Sequence, residues 1–462
     1  MTINSKLARH QQQRIQNHID NSDAYRFFNL LTSPELLTAV EDLLPTHRER
    51  LYPPTETLSM YLSQAISQDR SCQKAVNDAA VKRVVGGLPF VSTSTGGYCR
   101  ARQRLPLSMV SELVCCTGEL IDRQIPEQWR WQGRRVHLID GTCITMPDTV
   151  ANQVEYPQQS LQKPGLGFPI CRLVGVICLS SGAILNAAIG RFNGKGSDEQ
   201  TLLRTLLDTF DAGDLVLGDA FYGTYFLLAT LLDKGVDAVF EQMGARKRVT
   251  DFRTGKRLGS KDHVVELTKP KRKPDWMAQT QYDSVPERLR IRELGIDGKV
   301  LITTLLSAKK TSRKQLSRLY KRRWQIEVDF RHIKTTMGME TLSCKTPDMN
   351  KKEIWVYFLA YNLIRLLMAQ SALLADILPR QISFKHALQL WQAWSQQGAS
   401  MILDNGEEML FILMAQQRVG NRPGRIEPRA VKRRPKAYPL LMKPRVEARA
   451  EARKYGHPRK LK

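Results

Sequence analysis

The stretch Tyr320-Lys-Arg-Arg-Trp-Gln-Ile-Glu-Val-Asp-Phe-Arg-His-Ile-Lys334 carries an unusual set of side chains. At about 3.6 residues per turn, Tyr320, Arg323, Glu327, Arg331 and Lys334 fall within roughly 80° of one another on a helical wheel. One helix face then presents a carboxylate ringed by three cations, with a phenol a turn away. Such a face can be an ion-pair ladder, Arg323–Glu327 and Glu327–Arg331 at (i, i+4), worth a few tenths of a kcal/mol. By spacing alone that solvated face is the commoner case; the other reading is a carboxylate that holds a metal while the cations grip nucleic-acid phosphates. Two other acids have matching contexts: Asp140 closes the apolar run Val136-His-Leu-Ile139, and Asp219 closes Asp214-Leu-Val-Leu-Gly218. Taken singly, each reads as an aspartate capping a turn. Taken together, Asp140, Asp219 and Glu327 are three hard oxygen donors without His or Cys, a set suited to Mg²⁺ or Mn²⁺. Two such ions about 3.5–4 Å apart would activate the attacking oxygen and steady the leaving one in an in-line phosphoryl displacement.

Specific elements must position these residues. The spacing predicts one long amphipathic helix from about Gln315 to Met337, with Leu319, Ile326, Phe330, Ile333 and Met337 as its core stripe. Val136–Ile139 and Asp214–Gly218 read as strands that each deliver a carboxylate at their ends. Ile170–Leu179 and Ala183–Gly190 flank Ser180-Ser-Gly182 and read as a β-hairpin, and Ser197-Asp-Glu-Gln200 resembles a helix N-terminus with an acidic first turn. A helix Tyr222–Lys234 and strands Ala238–Glu241 and Lys299–Leu306 complete an α/β pattern around a mixed sheet. Neighbouring strands would set Asp140 beside Asp219, and a helix packed on that sheet would bring Glu327.

The chain has 462 residues and a net charge of +25. Arg418 to Lys462 holds sixteen Lys/Arg against three Glu (+13), and Ala245 to Lys299 holds fifteen against eight Asp/Glu (+7). Charge concentrated in this way points to a polyanionic partner, nucleic acid or, as the competitor, a membrane surface. The eight cysteines are scattered, without a Cys-x-x-Cys pair or a His cluster, which argues against a zinc site or disulfide framework and for a reducing compartment. The N-terminus shows no apolar secretory run. The most apolar helix, about Ile354 to Leu378, contains Asn362, Arg365, Gln370 and Asp376, and reads as a buried core helix rather than a membrane span.

The spacing Tyr320-x2-Arg323-x3-Glu327-x6-Lys334 resembles the signature of bacterial insertion-sequence transposases of the DDE class that carry a Y-R-E-K box. Asp140-Gly-Thr142 is similar to the first acidic motif of that family and Gly218-Asp-Ala-Phe-Tyr222 to the second. The stretches Asp148…Asn152…Tyr156-Pro…Gly165-Leu-Gly-Phe-Pro169…Arg172 and Gly420-Asn-Arg-Pro-Gly424…Glu427-Pro-Arg429 look like one branch of it. The resemblance runs from about Val91 to the end, with three motifs in order and a long insertion between the second and third. It implies a retroviral-integrase-like, RNase H-type core and cut-and-paste chemistry, with hydrolysis at the element end and then attack by the freed 3′-OH. It implies that Asp140, Asp219 and Glu327 hold Mg²⁺ or Mn²⁺, as two ions. Arg323 and Lys334 would grip phosphates near the cut and Tyr320 would hydrogen-bond a terminal phosphate. Arg331 and Trp324 are lesser candidates for DNA contact, core packing being the alternative for Trp324. The implied partners are double-stranded DNA, as terminal inverted repeats and target, and a second copy of the chain on paired ends, with no membrane, in the bacterial cytoplasm at the nucleoid. In one respect the chain departs from some hairpin-forming relatives. Lys299-Val-Leu-Ile-Thr-Thr304, leaving the insertion, has no tryptophan, and Trp276 does not match the expected position.

The expected organisation is a helical N-terminal domain over 1–125, for DNA binding or for packing. A catalytic core over 126–242 and 299–378 follows, split by a basic β-rich insertion at 243–298. C-terminal helices over 379–417 and a basic tail over 418–462, expected to be disordered, end the chain. Two other functions fit the composition. A metal-dependent nuclease or resolvase would use the same core without strand transfer, and a non-catalytic DNA-binding repressor would lack an acid or part of the box. All those residues are present, which sets the repressor aside and leaves the transposase and the nuclease.

Overall fold

The computed structural model describes residues 43, 45, 51–85, 87, 89–194, 196–242, 250–396, 406–420 and 441–456. Within 1–125 the described regular elements are helices: α1 (Pro54–Ile66), α2 (Cys72–Val85), α3 (Thr95–Arg104) and α4 (Leu107–Gln124). The basic helix α3 turns part of its charge inward. Arg102 is buried with its guanidinium 3.9 Å over the Tyr61 ring and donates to the thiols of Cys72 and Cys344.

A mixed α/β body follows. It begins with β1 (Val136–Thr145), α5 (Val150–Glu155), β2 (Ile170–Cys178), β3 (Ile184–Arg191), α6 (Glu199–Arg204), β4 (Leu215–Leu217), α7 (Tyr225–Asp233) and β5 (Asp237–Glu241). Next come β6 (Lys256–Gly259), β7 (Asp262–Thr268), α8 (Gln279–Ser284), β8 (Arg288–Ile296) and β9 (Lys299–Thr303). The helices α9 (Arg313–Lys321), α10 (Gln325–Arg331), α11 (Pro347–Leu374), α12 (Phe384–Gln396), α13 (Gly406–Gln416) and α14 (Arg445–Tyr455) complete the chain. The described strands form one nine-stranded sheet in the order β3-β2-β1-β4-β5-β9-β8-β7-β6. β1 is antiparallel to β2 and parallel to β4, and β4 is parallel to β5. Leu138, Ile139, Leu215–Leu217 and Ala238–Phe240 are fully buried, as expected of central strands covered on both faces. The β-rich stretch between β5 and β9 extends this same sheet, since β8 pairs with β9. Its basic side chains divide: Lys256, Arg257, Lys261, Arg288 and Arg290 are exposed, whereas Arg292 is buried in a two-pronged pair with Asp262 at 2.8 and 2.6 Å.

Three expectations about elements are corrected. Asp140 does not end its strand. The parallel ladder to β4 stops at Leu138↔Leu217, but the antiparallel ladder to β2 carries β1 on to Thr145↔Ile170. What ends near Asp140 is its neighbour. The helix expected from Gln315 to Met337 is a continuous but irregular rod that starts earlier. Ser312 and Gln315 form a capping box ahead of α9, a 3₁₀ turn spans Arg322–Trp324, and a π turn spans His332–Thr336 after α10. Its core stripe is as expected: Leu319, Ile326, Phe330, Ile333 and Met337 are all buried. In the C-terminal tail, α14 is a helix, and Arg445 reaches the Asp148 carboxylate at 3.0 Å, so residues 441–456 are not disordered. The stretches 421–440 and 457–462, with their basic residues, lie outside the described residues.

α11 begins three residues beyond Cys344, where Thr346 caps it through the Met349 N–H and Pro347 occupies the first turn. It is long and apolar enough to cross a membrane, yet 89% of its apolar window is buried in the protein. Its polar residues are matched by the core around them. Asn362 Nδ2 donates to the Ile184 carbonyl at 2.8 Å, and its Oδ1 accepts from the Ile184 N–H at 2.8 Å.

Candidate active site

Leu138 and Leu217 are register partners on parallel strands, and Asp140 and Asp219 each stand two residues further on. Both aspartates therefore stand at the same level of the sheet, Asp140 within β1 and Asp219 just past the end of β4. Asp140 Oδ1 accepts from the Gly141 N–H at 2.8 Å and its Oδ2 from Arg323 at 3.4 Å. Burial pushes the Asp140 carboxyl up to about 6. The Gly141 N–H and Arg323 oppose that rise, and the nearby carboxylates of Asp219 and Glu199 add to it. Asp219 caps a 3₁₀ turn, Ala220–Tyr222, by accepting from the Phe221 N–H at 2.8 Å. This turn is why α7 starts at Tyr225 and not at Tyr222.

The helical rod lies over Asp140's face of the sheet. Gly175, the register partner of Asp140, makes room for it: a Cβ there would sit 3.1 Å from Phe330 Cζ. Arg323 spans two of the acids, donating through Nη1 to Asp140 and through Nη2 to Glu327 Oε1 at 3.0 Å. The Tyr320 hydroxyl donates to the Gly218 carbonyl at 3.3 Å, directly before Asp219. Lys334 Nζ donates to Thr142 Oγ1 at 3.2 Å, two residues past Asp140. Tyr320, Arg323, Glu327 and Lys334 thus line up along β1 and the end of β4. Arg331 and Trp324 do not join them. Arg331 is exposed, and Trp324 is 57% exposed, which removes core packing as the reason for an aromatic there.

Among the described residues, no three His, Cys, Asp or Glu side chains converge closely enough to hold one metal ion. Asp140 and Glu327 are gathered around the Arg323 guanidinium instead. The donor set nevertheless fits a hard divalent cation. It consists of carboxylate oxygens, one cationic group already lies between two of them, and burial with neighbouring negative charge presses Asp140 toward its neutral form. A divalent ion would relieve that pressure.

Two features escaped sequence reasoning. Asp329 follows Glu327 by two residues and is fully buried, bound by Arg365 at 2.5 Å and by Arg380 at 3.0 and 2.9 Å. Arg380 also donates to the Cys178 and Leu179 carbonyls at the end of β2. This knot ties α10 to α11 and to the sheet, and so fixes where Glu327 points. Glu199 is the second. Read from sequence it is part of a helix cap, and Asp198 is indeed the cap, accepting from the Thr201 N–H at 3.0 Å. The Glu199 carboxyl itself lies against Gly141 and accepts from the Tyr222 hydroxyl at 3.2 Å. Burial holds it above its usual range. No spacing in the sequence signals that contact, because Glu199 and Gly141 meet only through the sheet.

A strand-borne pair of aspartates facing a helix with Tyr, Arg, Glu and Lys at this spacing coincides with a family match. Residues 131–363 fit the model of the transposase DDE domain, about half of the chain. The chain belongs to the DDE transposases, enzymes that cleave DNA with a divalent metal. Transposase InsG of insertion sequence element IS4 from Escherichia coli (strain K12) is 28% identical over 423 residues, covering 89% of this chain and 92% of that protein. The function is accordingly that of an insertion-sequence transposase. Among solved structures, the cryo-EM piggyBac transposase synaptic complex with hairpin DNA aligns with a TM-score of 0.41 and 10% identity, over 88% of both chains.

Proposed function

We propose that Asp140, Asp219 and Glu327 are the metal-holding acids of this transposase and that the Tyr320–Lys334 face grips the DNA end. The observation that carries this reading is Arg323 between Asp140 and Glu327, with Asp219 level with Asp140 on the adjoining strand. Two Mg²⁺ ions, or Mn²⁺, would supply the charge that activates the attacking oxygen and stabilises the leaving one in an in-line displacement. The protein's own groups do the rest. Arg323 and Lys334 offer N–H donors to phosphate oxygens beside the scissile bond, and the Tyr320 hydroxyl, already at the strand ends, offers one to the terminal phosphate. Trp324 and Arg331, exposed on the flanks, contact DNA further out. The RNase H-like character of the core is supported by the order β3-β2-β1-β4-β5, with three antiparallel strands followed by parallel ones.

Water attacks the phosphodiester at the element boundary, breaking the P–O3′ bond and leaving a 3′-OH on the element end. That hydroxyl then attacks a target phosphodiester, forming one P–O bond as another breaks, so no energy source is required. The division into an N-terminal helical unit, a core interrupted by the basic β-stretch, and C-terminal helices is part of this reading. So are a dimer holding paired terminal inverted repeats and action at the bacterial nucleoid. The test is incubation of duplex carrying the source element's own ends, and a target duplex, with Mg²⁺ or with EDTA. Metal-dependent 3′-OH formation at the boundary with strand joining supports the reading. Nicks without joining would reduce it to a nuclease.

A further inference from the structure

Glu199 stands at the centre described above and has no part in the three-acid reading. We propose that Glu199 is a fourth acidic residue of the active centre, whose negative charge acts with Asp140 and Asp219 in holding the divalent metal. The inference rests on the metal-site reading of those two aspartates. The chain makes room for this carboxylate at two places. At Gly141, one residue past Asp140, a Cβ would fall 2.2 Å from Glu199 Cδ and 2.3 Å from its Oε1, so a side chain there would expel the carboxyl group. On the other side the fully buried Tyr222 donates to Glu199 Oε2 from within the turn that Asp219 caps. Glu199 therefore joins the β1 backbone beside Asp140 to the turn that carries Asp219.

Packing alone does not call for a charge at this position. Gln has the same length and could accept the Tyr222 hydrogen bond equally well. A carboxylate brings like-charge repulsion with Asp140 and Asp219, which costs stability unless a cation answers it. Asp140 and Glu327 share the Arg323 guanidinium, whereas Arg172 acts on Glu199 only from beyond ion-pair distance, its own guanidinium donating to the Ser197 carbonyl at 2.8 Å. A divalent ion between the strand ends would answer that charge.

The test titrates Mn²⁺ alone into the full chain by calorimetry at pH 7.5, with thermal melts with and without the metal, for the parent, Glu199→Gln, Glu199→Asp and Asp140→Asn. The expected result is a tenfold or greater loss of Mn²⁺ affinity in Glu199→Gln, with an equal or higher metal-free melting temperature and a smaller metal-induced rise. Glu199→Asp, which keeps the charge, retains most of the affinity. Parent-like binding by Glu199→Gln beside lost binding in Asp140→Asn would overturn the fourth-acid proposal and leave the three-acid reading standing. A lowered metal-free melting temperature with unchanged affinity would make Glu199 a packing residue and likewise overturn it. Parent-like binding in Asp140→Asn would overturn the metal-site reading and this proposal together.

Discussion

Asp140 is the residue where burial and neighbouring charge meet the proposed metal site. Its carboxyl, pushed up to about 6, holds a proton in the folded protein at pH values where the unfolded chain has lost it. The sign follows: metal-free stability falls as pH rises from about 4 to about 6, because the folded state binds more protons in that window. Metal affinity moves oppositely, rising through the same window as the competing proton leaves. Melting temperatures across pH 4–8 and Mn²⁺ titrations on either side of pH 6 check both slopes, and Asp140→Asn is expected to flatten both. The residues of the proposed site were the most legible part of the sequence. An acid after an apolar run and a Tyr-Arg-Glu-Lys spacing on one helix face are local patterns. Glu199 was not legible, because its approach to Gly141 spans 58 residues of chain and exists only through the sheet.

At the scale of elements, the helical rod must hold Glu327 against strands from which it is distant in sequence. Asp329 does this from the rod's inner side. Asp329→Ala leaves Arg365 and Arg380 buried without their acid, a loss expected to cost about 3–5 kcal/mol. Chemical denaturation measures it, and an effect below about 1 kcal/mol would mean that solvent reaches the two arginines. The rod's apolar stripe was readable because a 3.6-residue period is local. Its breaks, a 3₁₀ turn at Arg322–Trp324 and a π turn at His332–Thr336, were not, since no local residue pattern marks them. The end of β1 was misplaced for a similar reason. Asp-Gly-Thr reads as a stop, but the pairing with β2 continues through it. Partners, not residue types, set that boundary.

At the scale of the molecule, +20 of the +25 charge lies in two stretches, and the described part of Ala245–Lys299 extends the nine-stranded sheet. Lys256, Arg257, Lys261, Arg288 and Arg290 are exposed there. If this edge tracks DNA, binding should weaken steeply with salt. Each phosphate contact removed should lower the slope of log K against log salt by about 0.9. Lys256→Ala with Arg257→Ala, assayed by fluorescence anisotropy from low to high salt, is expected to shrink that slope without altering where the ends are cut. An unchanged slope would move the DNA path elsewhere. The composition disclosed a polyanion partner at once, but which surface meets it depends on how the sheet carries the basic strands.

The most direct measurement is cleavage at the element boundary with Mg²⁺ by the parent, Asp140→Asn, Asp219→Asn and Glu327→Gln, with DNA binding followed in the same samples. Each substitution is expected to lower cleavage by at least about a thousandfold, a loss of roughly 4 kcal/mol of transition-state stabilisation, with DNA binding kept. A Glu327→Gln protein that cuts as well as the parent would contradict the account. The helix face would then be a basic binding surface with its own ion pairs, and the catalytic acids would have to be sought elsewhere in the chain.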